Sequence, residues 1–222
     1  FISLAILAGI SLSSCNDSFL EKTPVTDLTE NNAFNSYDNF KAFMWPCYEM
    51  FTNNTIRTSL QGFGQDGQYK GDMAAGYFQQ KYESGYNEFA YQTVASVASG
   101  NGWDFKSFIR RVNIMLSHID NSSMTEAQKD HWRAVGYFFH SFWYMELIDR
   151  FGDVPWVDQV LQEDSPEAYG PRVDRKTVAD KVLERLQWAE QNIGNFTSQD
   201  GDNTINQDCV RAVISRFGLR EG

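Results

Sequence analysis

The chain has 222 residues, of which 42% are hydrophobic and 22% are charged, a composition typical of a folded globular protein rather than a disordered one. Its formal net charge is −10 at pH 7, and no cluster of Lys and Arg offsets that charge, which excludes nucleic acid as a partner. Aromatic residues make up 15% of the chain. Rings in excess of the core's needs suit a surface that binds sugars or peptides.

The first fifteen residues have the pattern of a signal peptide. Residues 1–12 are apolar and uncharged, but a membrane-spanning helix needs about 20 such residues. With no initiator Met and no basic segment, the sequence is expected to begin inside that signal peptide. Leu12-Ser13-Ser14-Cys15 resembles the lipobox of bacterial lipoproteins. This resemblance implies cleavage before Cys15 and lipidation of that cysteine.

Residues 16–30 are polar and aperiodic, which predicts a flexible tether between anchor and domain. Residues 31–222 are predicted to form the domain itself. Its first helix is predicted over residues 31–51, with Asn31 or Asn32 as the N-cap and Pro46 in its last turns. The apolar face of this helix comprises Phe34, Tyr37, Phe40, Met44 and Tyr48.

Residues 52–101 are rich in Gly and in Tyr and show no sustained period, a pattern typical of a long functional loop. Within it, residues 62–67 match G-x-G-x-x-G. A dinucleotide site also requires a strand before this motif and a helix after it, and neither pattern is visible. The dinucleotide interpretation is therefore rejected, and no cofactor is predicted.

The rest of the chain predicts four helices. The first covers residues 104–119, and the second runs from a Thr125–Gln128 capping box to about residue 150. The second helix is apolar almost all round, which predicts burial, and Gly152 is its predicted C-cap. The third runs from an Asp174 cap to residue 193, and the fourth opens at Asn206. These helices predict a mainly α fold of tetratricopeptide-like helical pairs with long irregular loops.

Four segments carry a family resemblance, two of which are Cys15 to Leu20 with Pro24 and Arg172 to Cys209. Leu147-x-x-x-Phe151-Gly-Asp-Val-Pro155 at the end of an aromatic helix resembles a motif of the SusD/RagB lipoproteins of Bacteroidetes. Trp103-x4-Phe108-Ile109-x3-Asn113 resembles another. Over residues 135–141 the family usually carries E-x-R-F-x-R-A. This chain has Val135, Tyr137 and His140 at the Glu and the two Arg positions of that motif, which leaves the subfamily open.

The resemblance implies a SusD-like α-helical fold in a surface-exposed lipoprotein of the outer membrane. It also implies that the protein captures oligosaccharide and delivers it to a TonB-dependent SusC-like transporter. Family members are much longer, so the chain is expected to be an N-terminal portion that lacks the C-terminal part. A RagB-like peptide-binding lipoprotein and a helical-repeat scaffold without a small ligand remain alternatives.

In the family, the segment before the Trp103 helix contributes to the ligand surface. Here that segment offers aromatic faces and polar side chains, the two features that a sugar needs. The alternative for each residue is loop packing or simple exposure, and Trp103 itself is expected in the core. The ligand-binding candidates are Asp66, Tyr69, Asp72, Tyr77, Tyr82 and Tyr86.

No catalytic or metal site is predicted. Glu146, Asp149 and Asp153 flank a helix end, which they are expected to cap or solvate, and the three histidines have no metal-ligand spacing. Residues 200–208 alternate oxygen-bearing side chains as a calcium loop does, but they lack the sixth-position Gly and the final Glu. A solvated loop between helices is predicted there. Cys47 and Cys209 are expected to be buried thiols rather than a disulfide.

Overall fold

The computed structural model describes residues 33–48, 51 and 106–221. From Phe34 onward, these residues belong to one compact unit. Its helices are α1 (Tyr37–Tyr48), α2 (Lys106–His118), α3 (Glu126–Phe151), α4 (Arg175–Asn192), the short α5 (Thr197–Asp200) and α6 (Gln207–Glu221). A 3₁₀ helix covers Pro166–Tyr169. No strand occurs in these ranges, and the predicted mainly α fold is confirmed.

Helix α3 is the centre of the fold. The predicted capping box is present: Gln128 N donates to the Thr125 side chain, and Thr125 N donates to the Gln128 side chain. At the other end Gly152 has a φ of 67°, which only glycine adopts readily, and its N–H donates to Ile148 O. Helix α3 packs against α1, α2, α4 and α6. The predicted burial on nearly all sides is confirmed, with Trp132, Phe139, Tyr144 and Leu147 almost inaccessible.

The most extensive helix–helix contact joins α3 and α4, and the next most extensive join α4 with α6 and α2 with α3. The two ends of the segment between α3 and α4 are joined by an isolated antiparallel bridge, in which Val154 and Val173 exchange two backbone hydrogen bonds of 3.1 and 2.9 Å. Asp174 caps α4 as predicted, because its carboxylate accepts from Thr177 N at 2.9 Å. Asn206 caps α6 in the same way, accepting from Cys209 N at 3.0 Å.

Most of the predicted apolar face is confirmed: Tyr37, Phe40 and Met44 of α1 are buried, as is Phe34 just before the helix, whereas Tyr48 is half-buried. The predicted continuous helix over residues 31–51 is wrong, since residues 34–36 are not helical and α1 begins at Tyr37; the predicted caps Asn31 and Asn32 lie outside the described residues. Asn35 O just before the helix accepts from Ser123 N in the α2–α3 turn at 3.2 Å. A tertiary contact therefore holds the chain just before α1, and Ser36 O accepts the first backbone bonds of the helix from Asn39 N and Phe40 N.

Both cysteines that the structure describes are free thiols. Cys47 is buried and Cys209 is half-buried, so the disulfide alternative is wrong and only Cys47 is buried as predicted. Burial raises the pKa of the Cys47 thiol to about 12. Among the described residues, no helix is long and apolar enough to cross a membrane.

Candidate functional site

The residues predicted to contact ligand, Asp66, Tyr69, Asp72, Tyr77, Tyr82 and Tyr86, lie outside the described residues. Cys15, the tether at 16–30 and Trp103 lie outside them as well. Those predictions stay predictions. The candidate site described below is formed by other residues.

A groove of about 290 Å³ opens between α3, α4 and the segment that follows α3. It is bordered by aromatic rings and by charged side chains of both signs. Tyr137 comes from α3, and Lys181, Glu184, Arg185 and Trp188 come from one side of α4. The remaining lining residues, Trp156 and Asp158, follow α3 in the chain.

Buried polar groups of α3 hold the segment that carries Trp156. The Tyr144 hydroxyl donates to Pro155 O at 3.0 Å and accepts from Val157 N at 2.7 Å. His140 Nε2 lies 2.9 Å from Val157 O. Complete burial, together with the nearby Arg185 cation, holds the pKa of His140 well below its usual range. His140 is therefore neutral at pH 7, and Nε2–H is the donor that this contact requires.

The ring of Trp156 lies against these two residues, with centroid separations of 4.5 Å to Tyr144 and 5.0 Å to His140. Its indole N–H donates to Asp158 Oδ2 at 2.9 Å. The backbone on both sides of the ring and the ring itself are thus fixed from α3. This explains how a loop residue keeps a defined position at the groove.

Cations and rings alternate along the groove. Lys181 lies 5.3 Å and Arg185 5.0 Å from the Trp156 centroid, and Arg185 is also 4.9 Å from the Tyr137 centroid. Tyr137 meets the ring of Trp188 edge-on at 5.2 Å. Each cation–ring contact is worth about 0.5–2 kcal/mol, depending on its desolvation. Burial lowers the pKa of Arg185, but a guanidinium remains charged at neutral pH.

Away from the groove, a cluster of hydrogen-bonded polar side chains, Tyr37, His131 and Asp200, joins three parts of the fold. Asp200 Oδ2 accepts from the Tyr37 hydroxyl at 2.7 Å and lies 3.1 Å from His131 Nε2. The other imidazole nitrogen, Nδ1, lies 3.2 Å from Gly194 O. Burial disfavours the charged form of a side chain, so it raises the pKa of Tyr37 and lowers the pKa of His131. The hydrogen bond to Asp200 raises the pKa of Tyr37 further. The cluster connects α1, α3 and α5.

The prediction of a solvated loop over residues 200–208 is wrong at Asp200 and at Ile205, which are 8% and 6% exposed. Asp202 and Asn203 are exposed as expected. Within the described ranges, no group of three or more His, Cys, Asp or Glu side chains is placed to hold a metal ion.

The carboxylates at the end of α3 serve structural roles. Asp153 Oδ1 accepts from Arg175 N at 2.9 Å and so caps the start of α4 rather than the helix before it. Arg220 of α6 pairs with Asp149 and lies 3.8 Å from Glu146, which is 6% exposed. The prediction that these residues cap or solvate the end of α3 holds for Asp149, which is exposed, but not for Asp153, which caps α4, or for buried Glu146.

Sequence reasoning missed the groove residues. The spacing of Lys181, Arg185 and Trp188 at i, i+4 and i+7 was a usable signal, because such residues share one face of a helix. Tyr137 and Trp156 carried no comparable signal, since only the fold brings them to α4.

Solved structures with this fold are SusD-like proteins. One from Bacteroides fragilis aligns with a TM-score of 0.66 at 19% identity, over 90% of this chain and 38% of its own. A SusD-like carbohydrate binding protein from Bacteroides vulgatus aligns with a TM-score of 0.61 at 20% identity, over 84% of this chain and 42% of its own. A SusD-like carbohydrate binding protein from Bacteroides fragilis aligns with a TM-score of 0.61 at 16% identity, over 85% of this chain and 38% of its own. The chain therefore spans about two fifths of these proteins, and the likeness shows the fold alone. A search of the curated proteins found no match.

The paired helices around α3 define a tetratricopeptide-like α-helical domain of the SusD type. The family model for SusD-like proteins, described as starch-binding and associating with the outer membrane, matches residues 18–219. The chain belongs to this SusD-like family.

Proposed function

We propose that the chain is part of a surface lipoprotein that captures oligosaccharide and delivers it to a SusC-like TonB-dependent transporter in the outer membrane. The observation that carries the proposal is the family match over residues 18–219, with its description as starch-binding and outer-membrane-associated. Two of the similar structures are also named carbohydrate binding proteins. The function is binding without turnover.

The proposed ligand surface includes the segment with Asp66, Tyr69, Asp72, Tyr77, Tyr82 and Tyr86. Its chemistry supports this assignment: tyrosine rings pack on the apolar faces of sugars, and carboxylates accept hydrogen bonds from hydroxyls. The overall charge of −10 favours a neutral ligand over a polyanionic one.

A binding screen of the full-length protein against glycan and peptide libraries tests the function, with Cys15 replaced to keep the protein in solution. Selective glycan binding that Tyr69→Ala or Tyr82→Ala weakens, without release of cleaved product, is the expected result. Tyr169→Ala is the matched control, because Tyr169 is 81% exposed on the 3₁₀ helix. Binding of peptides alone would refute the glycan assignment and favour a RagB-like function.

Lipidation and partnership are tested in cells. Wild-type protein should incorporate a labelled fatty acid and co-purify with a TonB-dependent transporter, whereas Cys15→Ser should lose the label. Cys209→Ser is the control for loss of a thiol. Labelling that persists in Cys15→Ser would contradict the proposed anchor.

A further inference from the structure

The groove between α3 and α4 combines hydrogen-bond donors and acceptors around a space of ligand size. Its volume of about 290 Å³ is close to the lower end for small-molecule sites, about 300 Å³. Lys181 and Arg185 only donate, and the Asp158 and Glu184 carboxylates only accept. A ligand that satisfies all of these groups must itself carry donors and acceptors close together. Hydroxyl groups, each of which does both, meet this requirement.

The charges that line the groove balance. Two cations, Lys181 and Arg185, face two carboxylates, Asp158 and Glu184, and Arg185 Nη2 lies 3.6 Å from Asp158 Oδ2. An anionic ligand would meet the carboxylates as well as the cations, and a cationic ligand would meet the reverse conflict. The lining therefore favours a ligand with no net charge.

The aromatic part of the groove is fixed before any ligand arrives. Trp156 is held by the Tyr144 and His140 contacts, and the Arg185 guanidinium lies near the rings of both Trp156 and Tyr137. Trp188 is half-buried and lines the groove, and the Arg133 guanidinium lies 5.8 Å from the centroid of its ring. A preformed site loses less conformational entropy on binding than a mobile one. An amphipathic indole also suits the C–H face of a sugar ring.

From these observations we infer that the α3–α4 groove is a subsite for a neutral saccharide unit, separate from the proposed surface over Asp66–Tyr86. The subsite contacts the sugar through Trp188, Lys181, Arg185, Asp158 and Glu184. This inference rests on the proposed function, since it assigns a second contact point for the captured glycan.

Calorimetric titration of the full-length protein, with Cys15 replaced, tests the subsite. The probes are maltoheptaose and xylohexaose as neutral glycans and tetragalacturonate as the acidic one. The key variant is Glu184→Gln, which removes the charge of an exposed carboxylate while keeping its shape. Loss of a charge-assisted hydrogen bond should weaken binding of a neutral probe about tenfold. Asp180→Asn, an exposed carboxylate of α4 outside the groove lining, should leave the affinity unchanged.

A second variant, Trp188→Ala, should weaken the same probe at least as much, with an unchanged far-ultraviolet circular dichroism spectrum as the check on folding. Any of three results would overturn the inference. The first is wild-type affinity in both Glu184→Gln and Trp188→Ala. The others are failure of the wild-type protein to bind either neutral probe and a preference for tetragalacturonate. Failure of the proposed function gives a different result, which is absence of binding across the whole glycan library.

Discussion

The Tyr144 hydroxyl is the group whose removal most directly tests how α3 positions the groove. It is fully buried and makes two hydrogen bonds, donating to Pro155 O and accepting from Val157 N. Burial raises its pKa, so it stays a donor throughout the neutral range. Tyr144→Phe keeps the ring but leaves the Val157 N–H and the Pro155 carbonyl without this partner.

Leaving a buried donor unsatisfied costs about 1–3 kcal/mol, so a loss near 2 kcal/mol is expected for this change. That figure corresponds to about a 30-fold increase in local opening. Hydrogen exchange of the peptide that contains Val157, measured by mass spectrometry on the full-length protein, reads this opening locally. Exchange at that amide should accelerate by about this factor.

Tyr169→Phe is the matched control, because Tyr169 is exposed and its hydroxyl donates to Glu163 O at 3.3 Å. This surface change should alter stability by less than about 0.5 kcal/mol. If Tyr144→Phe accelerates exchange at Val157 no more than Tyr169→Phe does, the Tyr144 hydroxyl does not hold the Trp156 segment. The account of a preformed groove would then be wrong.

Three further changes probe the scaffold, each followed by chemical unfolding of the full-length protein. Gly136→Ala should change stability by less than about 1 kcal/mol, because the new methyl would lie 2.6 Å from Met115 Cε, the movable end of a side chain, while alanine favours the helix more than glycine does. A loss above about 2 kcal/mol would show that the α2–α3 contact cannot adjust. Thr125→Ala should cost about 1 kcal/mol by removing the α3 cap, and an unchanged unfolding midpoint would contradict that role. Burial holds the pKa of His140 well below its usual range in the folded protein, whereas in the unfolded chain this imidazole takes up a proton below about pH 6.5. The free energy of unfolding should therefore fall by up to about 1.4 kcal/mol per pH unit as the pH drops below that value. His140→Gln should remove that part of the slope, and an identical slope in the variant would refute the assignment.

Much of the helical fold was predictable because its signals are local. The Thr125–Gln128 box, the Asp174 and Asn206 caps and the Gly152 C-cap each depend on residues within four positions of one another. The start of α1 was not predicted correctly. Asn35, just before α1, contacts Ser123 in the α2–α3 turn, 88 residues away, and no local pattern encodes that contact.

The candidate groove was not predicted, for the same physical reason. Trp156 becomes part of a site only because Tyr144 and His140 hold its segment beside α4. Asp200 likewise reads as an exposed loop residue until the fold brings Tyr37 and His131 to its carboxylate. Polar residues that act through long-range contacts carry no periodic signal, whereas apolar faces and caps do.

The most direct test of the central claim, glycan capture, is equilibrium binding of the full-length, non-lipidated protein to a panel of neutral oligosaccharides, with a peptide panel measured in parallel. The account predicts saturable binding of at least one oligosaccharide, weakened by Tyr69→Ala and by Glu184→Gln and unchanged by Tyr169→Ala. Saturable binding of peptides with no response to any oligosaccharide would contradict it.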